Sequence, residues 1–89
     1  MILTELSEGE IAIVEGFVKQ TSFNDRLIAL GVKKNKEIKV IRKSSFDGPL
    51  HVEVGTTQLM LRNLVAKEII ISQEEKNHLN EKNSSYRNA

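Results

Sequence analysis

Between Pro49 and Arg62 the chain alternates apolar and polar residues twice over, as LHVEV and TQLML, with Gly55 and Thr56 in between. Side chains of a strand point to opposite faces at period two, so this pattern reads as two half-buried strands joined by a tight hairpin turn. Leu50, Val52 and Val54 fall on the inner face and His51 and Glu53 on the outer one, while Thr57, Leu59 and Leu61 share one side of the second strand.

Three further strands are predicted around that hairpin. EIAIVEGFV gives a first strand over residues 10–18, with Ile11 and Ile13 at period two and Gly16 marking a bulge or sharp bend. EIKVIRK gives a second over 37–43, in which Ile38 and Val40 alternate with Lys39 and Arg42. EIIIS closes the series, entered through a single turn at Leu64, Val65 and Ala66. The segment SFNDRLIALG has the period of a helix instead: Phe23, Leu27 and Leu30 form a narrow stripe over residues 23–30. Ser22 and Asp25 suggest an N-terminal capping box in its Asp form, Gly31 a left-handed C′ residue, and Val32 the apolar residue that folds back onto the last turn. Phe17 and Phe23 read as core residues, and Leu3 and Leu6 suit one turn plugging a barrel end. In SSFDGP, Asp47, Gly48 and Pro49 supply an Asx acceptor, φ freedom and a missing donor, which makes a loop.

With 89 residues of which 39% are hydrophobic, the chain supports one core and a shallow binding surface sooner than a deep cavity. Five short strands and one helix in so few residues are most economically arranged as a closed or nearly closed barrel, which removes exposed sheet edges. The expected organisation is a barrel over residues 1–72 and a polar tail over 73–89, disordered because its apolar content does not offset chain entropy. No cysteine is present, which excludes disulfides, thiolate metal sites and thiol nucleophiles. No apolar run approaches a membrane span and the N-terminus is acidic, so a cytoplasmic location is expected.

The chemistry-bearing residues are sparse. His51 sits at an outward strand position and His78 in the tail, neither with an acidic or nucleophilic partner at local spacing, and no phosphate-binding glycine motif occurs. The residues therefore predict no enzyme and no catalytic site. His51 and Glu53 share a strand face and Met60 adds a thioether, but without a third anchored ligand no ligand set for a divalent metal such as ferrous iron is evident, and no cofactor is expected. Charge is uneven: residues 19–43 carry eight Lys or Arg against Asp25 and Glu37. Lys33, Lys34, Lys36, Lys39, Arg42 and Lys43 would suit a phosphate backbone, yet the stacking aromatics of a nucleic-acid platform are lacking, so no nucleic acid is expected.

The helix motif RLxALGV (Arg26, Leu27, Ala29, Leu30, Gly31, Val32) and the run GPLHVEVGTTQLMLRNLVAKEIII together resemble the ferrous iron transport protein A (FeoA) family, from about Leu3 to Ile71. The resemblance implies a mainly β fold, an SH3-like β-barrel of five strands with one short α-helix between strands 1 and 2. It also implies a cytosolic accessory role in bacterial ferrous iron uptake, with the membrane GTPase permease of that system as partner, reached through protein–protein contact. The membrane is then met through the partner alone. The sequence departs from the family in two places: Lys34 and Asn35 stand at its Pro-Gly turn, which Asn35 preserves by tolerating the left-handed conformation, and Phe46 stands where an aliphatic residue is usual. The same module occurs as the C-terminal domain of metal-dependent repressors, which is the alternative reading together with a nucleic-acid-binding SH3-like protein. A chain starting at its own Met, without a helix-turn-helix, favours the transport accessory. Exposed apolar tips within a charged rim make the expected partner surface: Phe46 and Pro49 in the loop, Met60 on its strand, and Lys33, Lys34 and Lys36 beside the helix.

Overall fold

The computed structural model describes residues 1–73, so the expectations for His78 and for the tail beyond Gln73 lie outside the described residues. A 3-10 turn at Leu3–Glu5 leads into β1 (Ile11–Phe17), α1 (Phe23–Ala29), β2 (Glu37–Lys43), β3 (Leu50–Val54), β4 (Thr57–Leu61), the one-turn α2 (Asn63–Ala66) and β5 (Ile69–Ser72). The strands form one antiparallel sheet in the order β4-β3-β2-β1-β5.

The hairpin is built as its alternation requires. Leu50 pairs with Leu61, Val52 with Leu59 and Val54 with Thr57, leaving Gly55 and Thr56 as a two-residue turn. Gly55 carries φ +62° at the first turn position, where a primed hairpin turn needs a residue free to adopt it. Leu50, Val52, Val54 and Leu61 are buried, and Leu59 packs against the core. Two register shifts curl the sheet: one in β1 between Val14 and Gly16, at the bulge expected around Gly16, and one in β2 between Val40 and Arg42. In β1 both phases of IAIV are apolar, so alternation alone does not choose a face; Ala12 and Val14 turn inward and Ile11 and Ile13 remain half-buried.

The edge strand β5 is covered by the N-terminus, through a bridge between Ile2 and Ile70 and a hydrogen bond from Ile71 N–H to the Met1 carbonyl (2.8 Å). Glu5 Oε1 accepts the Ile2 N–H (2.8 Å), which closes the 3-10 turn and drives Leu3 and Leu6 into full burial, the plug expected of them. The turn's carbonyls are capped from across the barrel: Lys43 Nζ donates to Thr4 O (2.9 Å) and Leu6 O (3.1 Å), and the Lys43 N–H donates to Glu8 Oε2 (2.8 Å). Replacing Lys43 by Met keeps the aliphatic stem and removes the ammonium donors; urea denaturation is expected to show a loss of about 1–2 kcal/mol, and an unchanged midpoint would mean the caps contribute nothing.

The end of α1 follows the expected Schellman geometry. Val32 N–H donates to Leu27 O (2.8 Å), Gly31 N–H donates to Ile28 O (3.0 Å), Gly31 has φ +108°, and Val32 is fully buried. A Cβ at Gly31 would also stand 3.4 Å from Val54 Cγ1, at the end of β3 that enters the hairpin turn. Gly31→Ala is therefore expected to cost about 1–2 kcal/mol, chiefly through the positive φ, measured as a lowered thermal midpoint. The start of α1 departs from expectation. Ser22 is already helical (φ −66°, ψ −22°) and makes no side-chain cap, because a capping hydroxyl needs the extended backbone that aims it at the free N–H groups. Asn24 ties this end down instead, its Nδ2 donating to Lys19 O at 2.6 Å from a buried position.

Candidate functional site

Of the predicted helical stripe only Leu27 is buried; Phe23 and Leu30 are each 46% exposed. A seven-residue helix reaches the core through its central turn, so the ends of the stripe overhang it. This corrects the assignment of Phe23 to the core, while Phe17 is half-buried and packs against it. The overhang has a consequence. Phe23 and Leu27 of α1 face Leu64 and Val65 of α2 across a groove of about 250 Å³, with Lys19 and Glu68 on its walls. Leu64 is 75% exposed, so both rims carry large apolar side chains held in water. Such a pairing of exposed apolar groups over a concave surface is the form of a protein contact site.

The predicted partner residues are only partly brought together. Pro49 and Met60 line one depression of about 240 Å³ on the outer face of β2, β3 and β4, with Ile41, Arg42, Ser44 and His51. Phe46 is fully exposed at the adjacent loop tip. Lys33, Lys34 and Lys36 are exposed elsewhere: their turn is bonded to β1, with Asn35 N–H donating to Val14 O (2.8 Å) and Val14 N–H to Lys36 O (2.9 Å). They precede β2 whereas Phe46 follows it, and a strand of this length separates the two by roughly 20 Å. The expected surface thus falls into two patches, the loop with Pro49 and Met60 and the lysine turn, because a strand carries its ends apart. The groove between α1 and α2 was missed for the converse reason. Its two rims are distant in sequence, and the one available signal was that a helix this short is unable to bury a stripe running its full length.

The loop also revises the role given to Gly48. Positive φ falls on Phe46 (+56°) and Asp47 (+61°), and Gly48 is required for room, since a Cβ there would lie 2.7 Å from Ser44 Cβ. Asn35 takes φ +74°, as its tolerance of the left-handed region led one to expect. Phe46 has no such tolerance, and it packs on nothing. Phe46→Asn is expected to raise stability by about 0.5–1 kcal/mol in urea denaturation; a loss of that size would show that the ring is held by the fold.

His51 and Met60 are directly opposed in the β3–β4 ladder, and His51 and Glu53 share that face. The imidazole is already engaged, its Nε2 lying 2.9 Å from Gln58 Oε1. Among the described residues no group of three or more His, Cys, Asp or Glu is disposed to hold a metal ion. No helix among them is long and apolar enough to cross a membrane.

Against known families, the FeoA domain model matches residues 1–73. The chain belongs to the FeoA family. An Fe(2+) transport protein A of Campylobacter jejuni is 33% identical over 72 residues, spanning 81% of this chain and 97% of that protein. The crystal structure of Stenotrophomonas maltophilia FeoA complexed with zinc, described as an SH3 domain protein, superposes with a TM-score of 0.71 at 32% identity, covering 81% of this chain and 89% of that one. A manganese-dependent transcriptional repressor superposes with a TM-score of 0.73 over 82% of this chain and 41% of its own, but at 15% identity, and shares the fold alone. The mainly β, SH3-like architecture expected of a FeoA chain is thus the one observed, and its family ties it to ferrous iron uptake in bacteria.

Proposed function

We propose that this FeoA-family chain is a cytosolic adaptor of ferrous iron uptake that modulates the system's membrane GTPase permease by docking onto its cytosolic part, without catalysis of its own. The observation that carries this reading is the groove between α1 and α2, where Phe23 and Leu64 keep large apolar surfaces in water on facing rims. A shallow apolar surface on a small barrel suits a transient contact of modest area. The zinc-bound Stenotrophomonas relative, put forward as a ferrous iron transport activating factor, supports a modulatory role. The depression at Pro49 and Met60 lies apart from this groove and is left out of the contact.

The nucleic-acid alternative draws less support. Lys33, Lys34 and Lys36 lie at one end of β2, Arg42 lies toward the other, and Lys43 spends its ammonium group on the carbonyls of Thr4 and Leu6. A backbone-tracking stripe needs these cations contiguous and free.

Calorimetric titration of the cytosolic GTPase region of the permease with the full chain tests the proposal. Saturable binding with a dissociation constant on the order of micromolar is expected. Absence of binding to that region and to the full-length permease would overturn it.

A further inference from the structure

The groove contains a polar group that its apolar rims do not explain. Glu68 Oε1 is buried and has no hydrogen-bond partner among the described residues. Its backbone is fixed on both sides, the Glu68 carbonyl accepting Val18 N–H (2.8 Å) and its N–H donating to Val65 O (3.0 Å), which sets the residue at the groove that its side chain lines. The neighbouring polar groups are turned to one another: Asn24 Nδ2 donates to Lys19 O (2.6 Å) and Thr21 Oγ1 to Asn24 Oδ1 (3.5 Å). Lys19 is exposed, and no ion pair joins it to Glu68 among the described residues. A buried carboxylate oxygen without a donor is costly, and the cost rises when apolar atoms close over it.

Resting on the docking reading above, we infer that the groove selects a partner segment presenting a bulky aliphatic side chain with an arginine beside it. The aliphatic group fills the space between Phe23, Leu27, Leu64 and Val65, and the guanidinium supplies the donors that Glu68 lacks. At about 250 Å³ the groove is smaller than a site for a drug-sized ligand and matches one or two side chains. Glu68 as a whole is only half-buried, and the last torsion of a glutamate is soft, so its carboxylate turns to meet a donor entering the groove. Arginine fits better than lysine because its planar fork reaches both carboxylate oxygens together. A segment carrying an acidic residue at that place is rejected, since it sets two carboxylates together in a drying site.

The test is an NMR titration of the isotope-labelled full chain with synthetic alanine- and glutamine-based helical peptides. One bears Leu and Arg four positions apart, a second Leu and Glu, a third Leu and norleucine. Saturating shifts are expected at residues 19–27 and 64–68, with the Arg peptide bound about tenfold more tightly than the Glu peptide. Glu68→Gln should erase that preference while keeping a folded spectrum, and Leu64→Ala should weaken all three. Should Glu68→Gln not fold, the peptide series on the unaltered chain decides alone. Equal affinities, shifts confined to other strands, no shifts, or a preference surviving Glu68→Gln would overturn the inference. So would groove shifts on concentrating the protein by itself, because Arg62 and Leu64, both exposed, would then mark a second copy as the occupant. The two readings fail separately. Permease binding that persists in Leu64→Ala and Glu68→Gln leaves the adaptor role standing and removes the groove as its seat; an Arg preference without permease binding does the reverse.

Discussion

Leu3→Ala is expected to cost about 3 kcal/mol, a large part of the stability of a domain of this size. The position is three residues from the N-terminus, where fraying is the ordinary outcome, yet Leu3 is fully buried together with Leu6. What holds it is a set of independent restraints: the Ile2–Ile70 bridge, the Met1 carbonyl on Ile71, the Glu5 carboxylate on Ile2 and the Lys43 ammonium on Thr4 and Leu6. Because the surroundings are fixed from several directions, they collapse little into the space left by the lost methyl groups, and the cavity term is felt along with the transfer term. Thermal unfolding should shift down by roughly 12–24 °C, with Leu3→Met close to the parent. A shift of a degree or two would show that the N-terminal turn lies on the barrel without plugging it.

How much of this was legible in the sequence depends on the range of the interaction. The β3–β4 hairpin, the Gly31–Val32 helix end and the Asn35 turn are decided within a few residues, and each is found where its local chemistry places it. The Ser22 cap failed although it is equally local, because the Lys19–Asn24 contact sets the entry of the chain into α1 and leaves Ser22 in helical backbone. Gly48 was read for its freedom and is used for its lack of a side chain, a distinction that depends on where Ser44 comes to lie. The groove was out of reach. Its walls come from either side of β2, β3 and β4 along the chain, and whether Phe23 is covered depends on how far a helix of this length overhangs the core, which no pattern of apolar residues states. Glu68 follows the same rule: its spacing in the sequence is that of any surface glutamate, and its isolation arises only when Val18 and Val65 fix its backbone.

Leu64→Asp is expected to abolish docking while leaving the fold intact. The side chain is 75% exposed on a four-residue helix, so the fold loses little when it is replaced, within about 0.5 kcal/mol for a surface change. In the complex the same position faces an apolar partner surface across from Phe23, and a buried unpaired carboxylate there forfeits the contact energy and adds a desolvation cost. Together these amount to a loss of affinity of roughly a hundredfold or more, well beyond the effect of a truncation at the rim. Met60→Asp on the outer face of β4 is the matched control, since Met60 is 64% exposed and lies outside the groove.

The most direct measurement is uptake of radiolabelled ferrous iron by cells of the source bacterium deleted for this protein and supplied with the parent chain, Leu64→Asp or Met60→Asp at equal levels. The account predicts that the parent restores uptake, that Leu64→Asp leaves it at the level of the deletion, and that Met60→Asp retains most of it. Full restoration by Leu64→Asp would contradict the account, because the groove between α1 and α2 would then have no part in what the protein does.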